Sequence, residues 1–135
     1  RVATLVADAT SICWGVAYQV AGDSLEAIFS YLDYREKGGF SRHHIDFYPR
    51  TNMATQSQPI SNTYVYVAQD DNPNYIGPAP IPEMAQQIFS STGLSGSNQE
   101  YLTRLAESLR IMGVKDKHVF ELEQQVRALE ILGEA

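Results

Sequence analysis

The sequence predicts an α+β fold with a largely antiparallel sheet followed by C-terminal helices. Runs of β-branched and aromatic residues crowd the first half, as in Val2–Val6, Ile12–Val20 and Thr63–Ala68. Helical periodicity with capping signals fills the last half, and the strands are separated by hairpin-length spacings. At 135 residues the chain has the length of one domain, and its composition, 44% hydrophobic and 19% charged, is that of an ordinary folded protein.

Taken in order, "VATLV" and "ICWGVAYQV" read as strands joined by the turn-like Asp8-Ala9-Thr10-Ser11. "DSLEAIFSYLDY" follows as a helix. Asp23 and Glu26 have capping-box spacing, while Leu25, Ile28, Phe29 and Leu32 form one apolar face. Gly38-Gly39 ends it. "HHIDFYP" alternates as a strand up to Pro49, residues 50–62 read as a polar loop, and "TYVYVA" is the next strand. "DDNPNYIGPAP" carries three prolines and a glycine, which predicts a stiff, ordered loop. Pro82 then suits the first turn of a helix running to Ser91 and stopped near Gly93. A further helix is capped by Ser97 with Glu100, faces inward through Leu102, Leu105, Leu109 and Met112, and stops at Gly113. The last spans about Asp116 to Leu132, with Val119, Leu122, Val126 and Leu129 inward and Gly133 as its stop.

Bulk properties and spacing remove several function classes. A net charge of -6, with ten scattered basic residues, argues against nucleic-acid binding, which needs clustered cations against phosphate. The apolar run Ile12–Val20 is too short to span a bilayer. A lone cysteine, Cys13, permits no intramolecular disulfide, reads as a small buried hydrophobe, and makes the cytosol the expected compartment. His43 and His44 are neighbours on a strand, so they face opposite ways and cannot chelate one ion together; no metal site and no cofactor are expected.

Two features remain. "YLDYREKGGF" sets Glu36 between Arg35 and Lys37, directly ahead of two glycines. That pattern suits either a solvated helix end or a positioned acid/base, with Glu36 turned inward and Lys37 outward. Tyr64 and Tyr66 share a strand face and Tyr75 sits in the proline loop; they serve as pocket walls or as core aromatics with satisfied hydroxyls.

"ICWGVAYQV", "YLDYREKGGF", "VYVAQDDNPNYIGPAPIPEMAQQI" and "SGSNQEYLTRLAESLR" together resemble the ChaC-type gamma-glutamylcyclotransferases, which act on glutathione. The resemblance extends from Arg1 to about Leu132. It implies a cyclotransferase-like sheet or partial barrel in one domain over 1–135, and conversion of glutathione to 5-oxoproline and cysteinylglycine. It also implies Glu36 as the acid/base and Tyr66 and Tyr75 as substrate contacts. Phe40 stands in the pocket where the family often has tyrosine. The family's glycine-rich strand-loop has no counterpart downstream of Arg1, so the 135 residues alone are expected to lack its backbone donors and to be inactive. Two other outcomes stay open: a non-catalytic binding or regulatory module, and a cyclotransferase for other gamma-glutamyl amines. The oligomeric state is not readable from the sequence.

Overall fold

Helix α1 (Leu25–Glu36) forms where the sequence supplies twelve residues without glycine or proline. A 3-10 turn at Gly22–Ser24 leads into it, and this displaces the expected capping box. Ser24, not Asp23, is the N-cap, and its backbone is already near-helical (φ -100°, ψ -5°), so no side chain caps the helix. We describe residues 2–6, 8–50, 58–69 and 71–133 from a computed structural model of the chain. These residues gather into two compact units, one formed by Thr4–Ile76 and the other by the chain from Gly77 onward with its first residues.

In the first unit, β1 (Phe40–Phe47) pairs antiparallel with β2 (Ile60–Ala68). Phe40 lies opposite Ala68, Arg42 opposite Tyr66 and His44 opposite Tyr64. Both strands extend beyond the expected stretches at their N-terminal ends, and a register irregularity falls between Ile45 and Phe47. Ile60–Asn62 belong to β2 instead of the predicted loop; residues 51–57 of that loop lie outside the described residues, as does Asp70 of the proline loop.

The expected strands Val2–Val6 and Ile12–Val20 do not form among the described residues. Their β-branched composition suits a pleated, half-buried surface, but propensity supplies no ladder partner. Ile12 and Tyr18 are 80% and 86% exposed, and Cys13, expected to be buried, is exposed with them. The turn between the two segments does form. Asp8 accepts bonds from the Thr10 amide and the Thr10 and Ser11 hydroxyls, chiefly that of Ser11, which hold its carboxyl down at about 2.

In the second unit, α2 (Ile81–Ser90), α3 (Asn98–Ile111) and α4 (Lys117–Gly133) surround a core of Met84, Ala85, Ile88, Leu102, Leu122 and Val126. A short unpredicted hairpin, β3 (Thr92–Gly93) with β4 (Gly96–Ser97), links α2 to α3. Ser97 Oγ caps α3 by accepting the Glu100 amide at 3.1 Å; the Glu100 carboxylate pairs with Arg104 instead of closing the box. Sequence periodicity also missed Glu123. It is only 3% exposed on α4, where it is paired with Arg110 and, at 2.8 Å, with Arg127. No helix among the described residues is long and apolar enough to cross a membrane.

Candidate functional site

Glu36 is the final residue of α1, and its side chain is turned largely inward at 21% exposure. Arg35 grips it through Nε at 2.8 Å and Nη2 at 2.7 Å, both contacts falling on Oε1. Oε2 has no partner among the described residues. The pairing raises the Arg35 pKa above its ordinary value, first through the hydrogen bond from its guanidinium to Glu36. Lys37 turns away and lays Nζ 4.0 Å over the Tyr34 ring. Glu36 is thus partly enclosed and Lys37 exposed, and Glu36 lines neither of the cavities described below.

The turn after Glu36 depends on one of its two glycines. Gly39 has φ +100°, a region closed to most side chains, and a Cβ there would come within 2.5 Å of the Asn72 side chain. Gly38 has open space around it. The Gly39 carbonyl accepts two bonds, from the Gln69 amide at 2.9 Å and from Asn72 Nδ2 at 3.0 Å. Asn72 Oδ1 in turn accepts the Asn74 amide at 2.8 Å, and the Asn72 carbonyl accepts the Tyr75 amide at 2.9 Å. The turn that follows Glu36 and the loop carrying Tyr75 are thereby stitched together.

The hairpin presents two chemically different faces, because successive strand residues alternate. One face carries Phe40, Arg42, His44, Tyr64 and Tyr66. Here Asp33 of α1 accepts the Tyr66 hydroxyl at 2.5 Å and pairs with Arg42 at 3.3 Å. Arg42 also stacks 4.2 Å from the Phe29 ring, and His44 meets Tyr64 edge-on. The Tyr66 pKa is raised, by burial first and by its bond to Asp33 second. A cavity of about 430 Å³ opens beside Asp33 and Arg42, lined also by Leu25, Glu26 and Phe29.

The other face carries Ser41, His43 and Val67. With Thr4–Val6, Gln69 and Tyr75 they line a cavity of about 580 Å³. Ser41 Oγ and His43 Nε2 are 2.7 Å apart, and Thr4 Oγ1 accepts the Ala68 amide at 3.2 Å. Tyr75 therefore lines a cavity on the face opposite Tyr66, and neither of these two cavities includes Glu36, Phe40 or Tyr66. His43 and His44 do point to opposite faces.

Asp33, Arg42 and Asn72 escaped the sequence reading. An acid on a helix and a cation nine residues later on a strand leave no spacing signal. Asn72, between an acid and a proline, looks like any turn residue.

The sequence profile of the ChaC-like protein family matches residues 1–129 of the chain. The chain belongs to that family. Among curated ChaC-like relatives, glutathione-specific gamma-glutamylcyclotransferase 1 of Danio rerio is 42% identical over 132 residues, covering 95% of this chain and 65% of that protein. The Homo sapiens protein of the same name is 41% identical over 123 residues, 88% of this chain and 54% of its own. Gamma-glutamylcyclotransferase 2-3 of Arabidopsis thaliana is 39% identical, with 94% and 65% covered. The chain thus spans between about half and two thirds of the length of these relatives. A crystal structure of a gamma-glutamyl cyclotransferase specific to glutathione from yeast superposes with a TM-score of 0.64 at 26% identity, over 82% of this chain and 58% of that one. The α+β class and the antiparallel strands followed by helices agree with that neighbour.

Proposed function

We propose that this ChaC-like chain forms part of a gamma-glutamylcyclotransferase that cleaves glutathione, with Glu36 as general acid/base. The observation that carries the reading is identity near 40% to glutathione-specific cyclotransferases across nearly the whole chain, with "REKGG" and "DNPNY" tied through Asn72. In this reading the α-amine of the substrate attacks its own γ-carbonyl carbon. A carbon–nitrogen bond forms to close a five-membered lactam, and the amide bond to the cysteine nitrogen breaks. Two protons leave the α-nitrogen and two arrive on the leaving nitrogen, so no water is consumed. A carboxylate that accepts and then donates can carry them. The nucleophile is tethered to its target, so holding the substrate in a folded conformation supplies much of the rate.

Glu36 Oε2, which has no hydrogen-bond partner among the described residues, is the oxygen that would meet the substrate proton, while Arg35 holds Oε1. Tyr75 contacts substrate from the wall of its cavity. Tyr66, whose hydroxyl is committed to Asp33, and Phe40, which opens β1, support the site from the opposite face of the hairpin. The reading requires no cofactor, and its compartment is the cytosol.

Incubation of the full-length protein with glutathione should release 5-oxoproline and cysteinylglycine in equal amounts, while the 135 residues alone should release neither; absence of both from the full-length protein refutes the assignment. A second reading, a cyclotransferase for other gamma-glutamyl amines, is favoured by the Arabidopsis thaliana relatives, whose names carry no restriction to glutathione. Faster turnover of gamma-glutamylalanine than of glutathione would select it.

A further inference from the structure

A polar side chain that the sequence did not single out, Asn72, ties the turn after Glu36 to the loop that carries Tyr75. Asn72 is only 8% exposed, and every polar group it owns is used. Its Nδ2 donates to the Gly39 carbonyl, its Oδ1 accepts the Asn74 amide, its own amide donates to Gln69 O at 3.0 Å, and its carbonyl accepts the Tyr75 amide. The amide orientation follows from the partners, since a carbonyl on one side demands a donor and an N–H on the other demands an acceptor. Aspartate and serine each fail one of these demands, and alanine fails both. Glycine at 39 is the reciprocal half of the fit, because any Cβ there would overlap Asn72 at 2.5–2.7 Å.

We infer that Asn72 is a positioning residue for the reaction, fixing the turn that orients Glu36 and, through the same side chain and backbone, the loop that sets Tyr75 on its cavity wall. Glu36 lies three residues before Gly39 and Tyr75 three residues after Asn72. A slack tie therefore displaces the acid/base and the substrate contact together. The inference rests on the cyclotransferase reading for its catalytic consequence, but the tie itself is independent of any activity.

Both parts are testable on the full-length protein with Asn72→Ala, Asn72→Asp and Asn72→Ser. Aspartate keeps the shape and the acceptor for Asn74 but loses the donor to Gly39. Serine can still cap the Asn74 amide but is too short to reach across, and it stands in should the other two fail to fold. Amide hydrogen exchange over residues 36–40 should accelerate at least about tenfold in each variant while α2, α3 and α4 stay protected. A loop that merely packs would loosen at 71–76 alone. With glutathione, kcat should fall about a hundredfold, the scale of an ångström-sized misplacement, and by a larger factor than KM rises. The double variant Gly39→Ala with Asn72→Ala should be less impaired than the sum of the two single changes, since the colliding partner is gone. Parental exchange at 36–40 in Asn72→Ala overturns the tie whatever the turnover. Accelerated exchange with parental kcat overturns the catalytic role. A parent that releases no 5-oxoproline overturns the functional reading and that role together, and leaves the exchange result to decide the tie.

Discussion

One methyl group at residue 39 probes the turn behind Glu36. Gly39→Ala forces a Cβ into a backbone at φ +100°, a strain of about 1–3 kcal/mol. The methyl also meets the Asn72 amide at 2.5 Å from Cγ, so that side chain must leave its place and give up its bonds to Gly39 O and Asn74 N. Two hydrogen bonds at about 1 kcal/mol each add to the strain. The stiffer unfolded chain returns about 0.4–1 kcal/mol, which leaves a net loss of about 2–4.6 kcal/mol. Gly38→Ala is the control, with φ in the ordinary range and no atom within 4 Å of the added methyl. It should fall within about 0.5 kcal/mol of the parent. Denaturant titration of the three proteins, followed by far-UV circular dichroism, measures the differences. A Gly39→Ala protein as stable as Gly38→Ala would refute the packed turn.

The other expectations concern both units. Glu123→Gln removes the carboxylate that Arg110 and Arg127 grip; because both guanidiniums are half exposed, the loss should be roughly 2–3 kcal/mol by denaturant titration. The Arg110 bond first of all lowers the Glu123 pKa from its ordinary 4.5. Its contribution is therefore complete above pH 4.5 and lost as pH falls through the lowered value, so the parent should lose stability faster with acid than Glu123→Gln does. Tyr66→Phe should cost about 1 kcal/mol through the lost Asp33 bond and shift turnover little, whereas Tyr75→Phe should raise KM with an unchanged melting temperature. Ultraviolet titration of the parent should show the Tyr66 phenol ionising above the ordinary range, a component that should be absent from Tyr66→Phe.

Much of this architecture was readable from local signals. The helices and the individual strands β1 and β2 announce themselves through periodicity, Ser97 caps α3, and Pro82 and Gly113 mark helix boundaries. Local signals fail where a partner is non-local. Val2–Val6 and Ile12–Val20 have the composition of strands, yet a strand exists only against a neighbour, and composition names none. The same limit applies to the candidate site. Glu36 and the Gly-Gly turn stand out in the sequence, while the groups that complete the surroundings, Asp33 against Tyr66 and Arg42, and Asn72 against Gly39, are brought in from distant elements. The two glycines also look alike in sequence, and only the positive φ and the nearby Asn72 separate Gly39 from Gly38.

The role of Glu36 is tested most directly by turnover of Glu36→Gln on glutathione, with 5-oxoproline quantified against the parent under saturating substrate. Glutamine keeps the size and can still bond to its surroundings, but it cannot carry a proton. The rate should fall by roughly two orders of magnitude or more, while the unfolding midpoint stays close to that of the parent. Release of 5-oxoproline by Glu36→Gln at near-parental rate would contradict the account and leave Glu36 as the Arg35-paired end of α1 and nothing more.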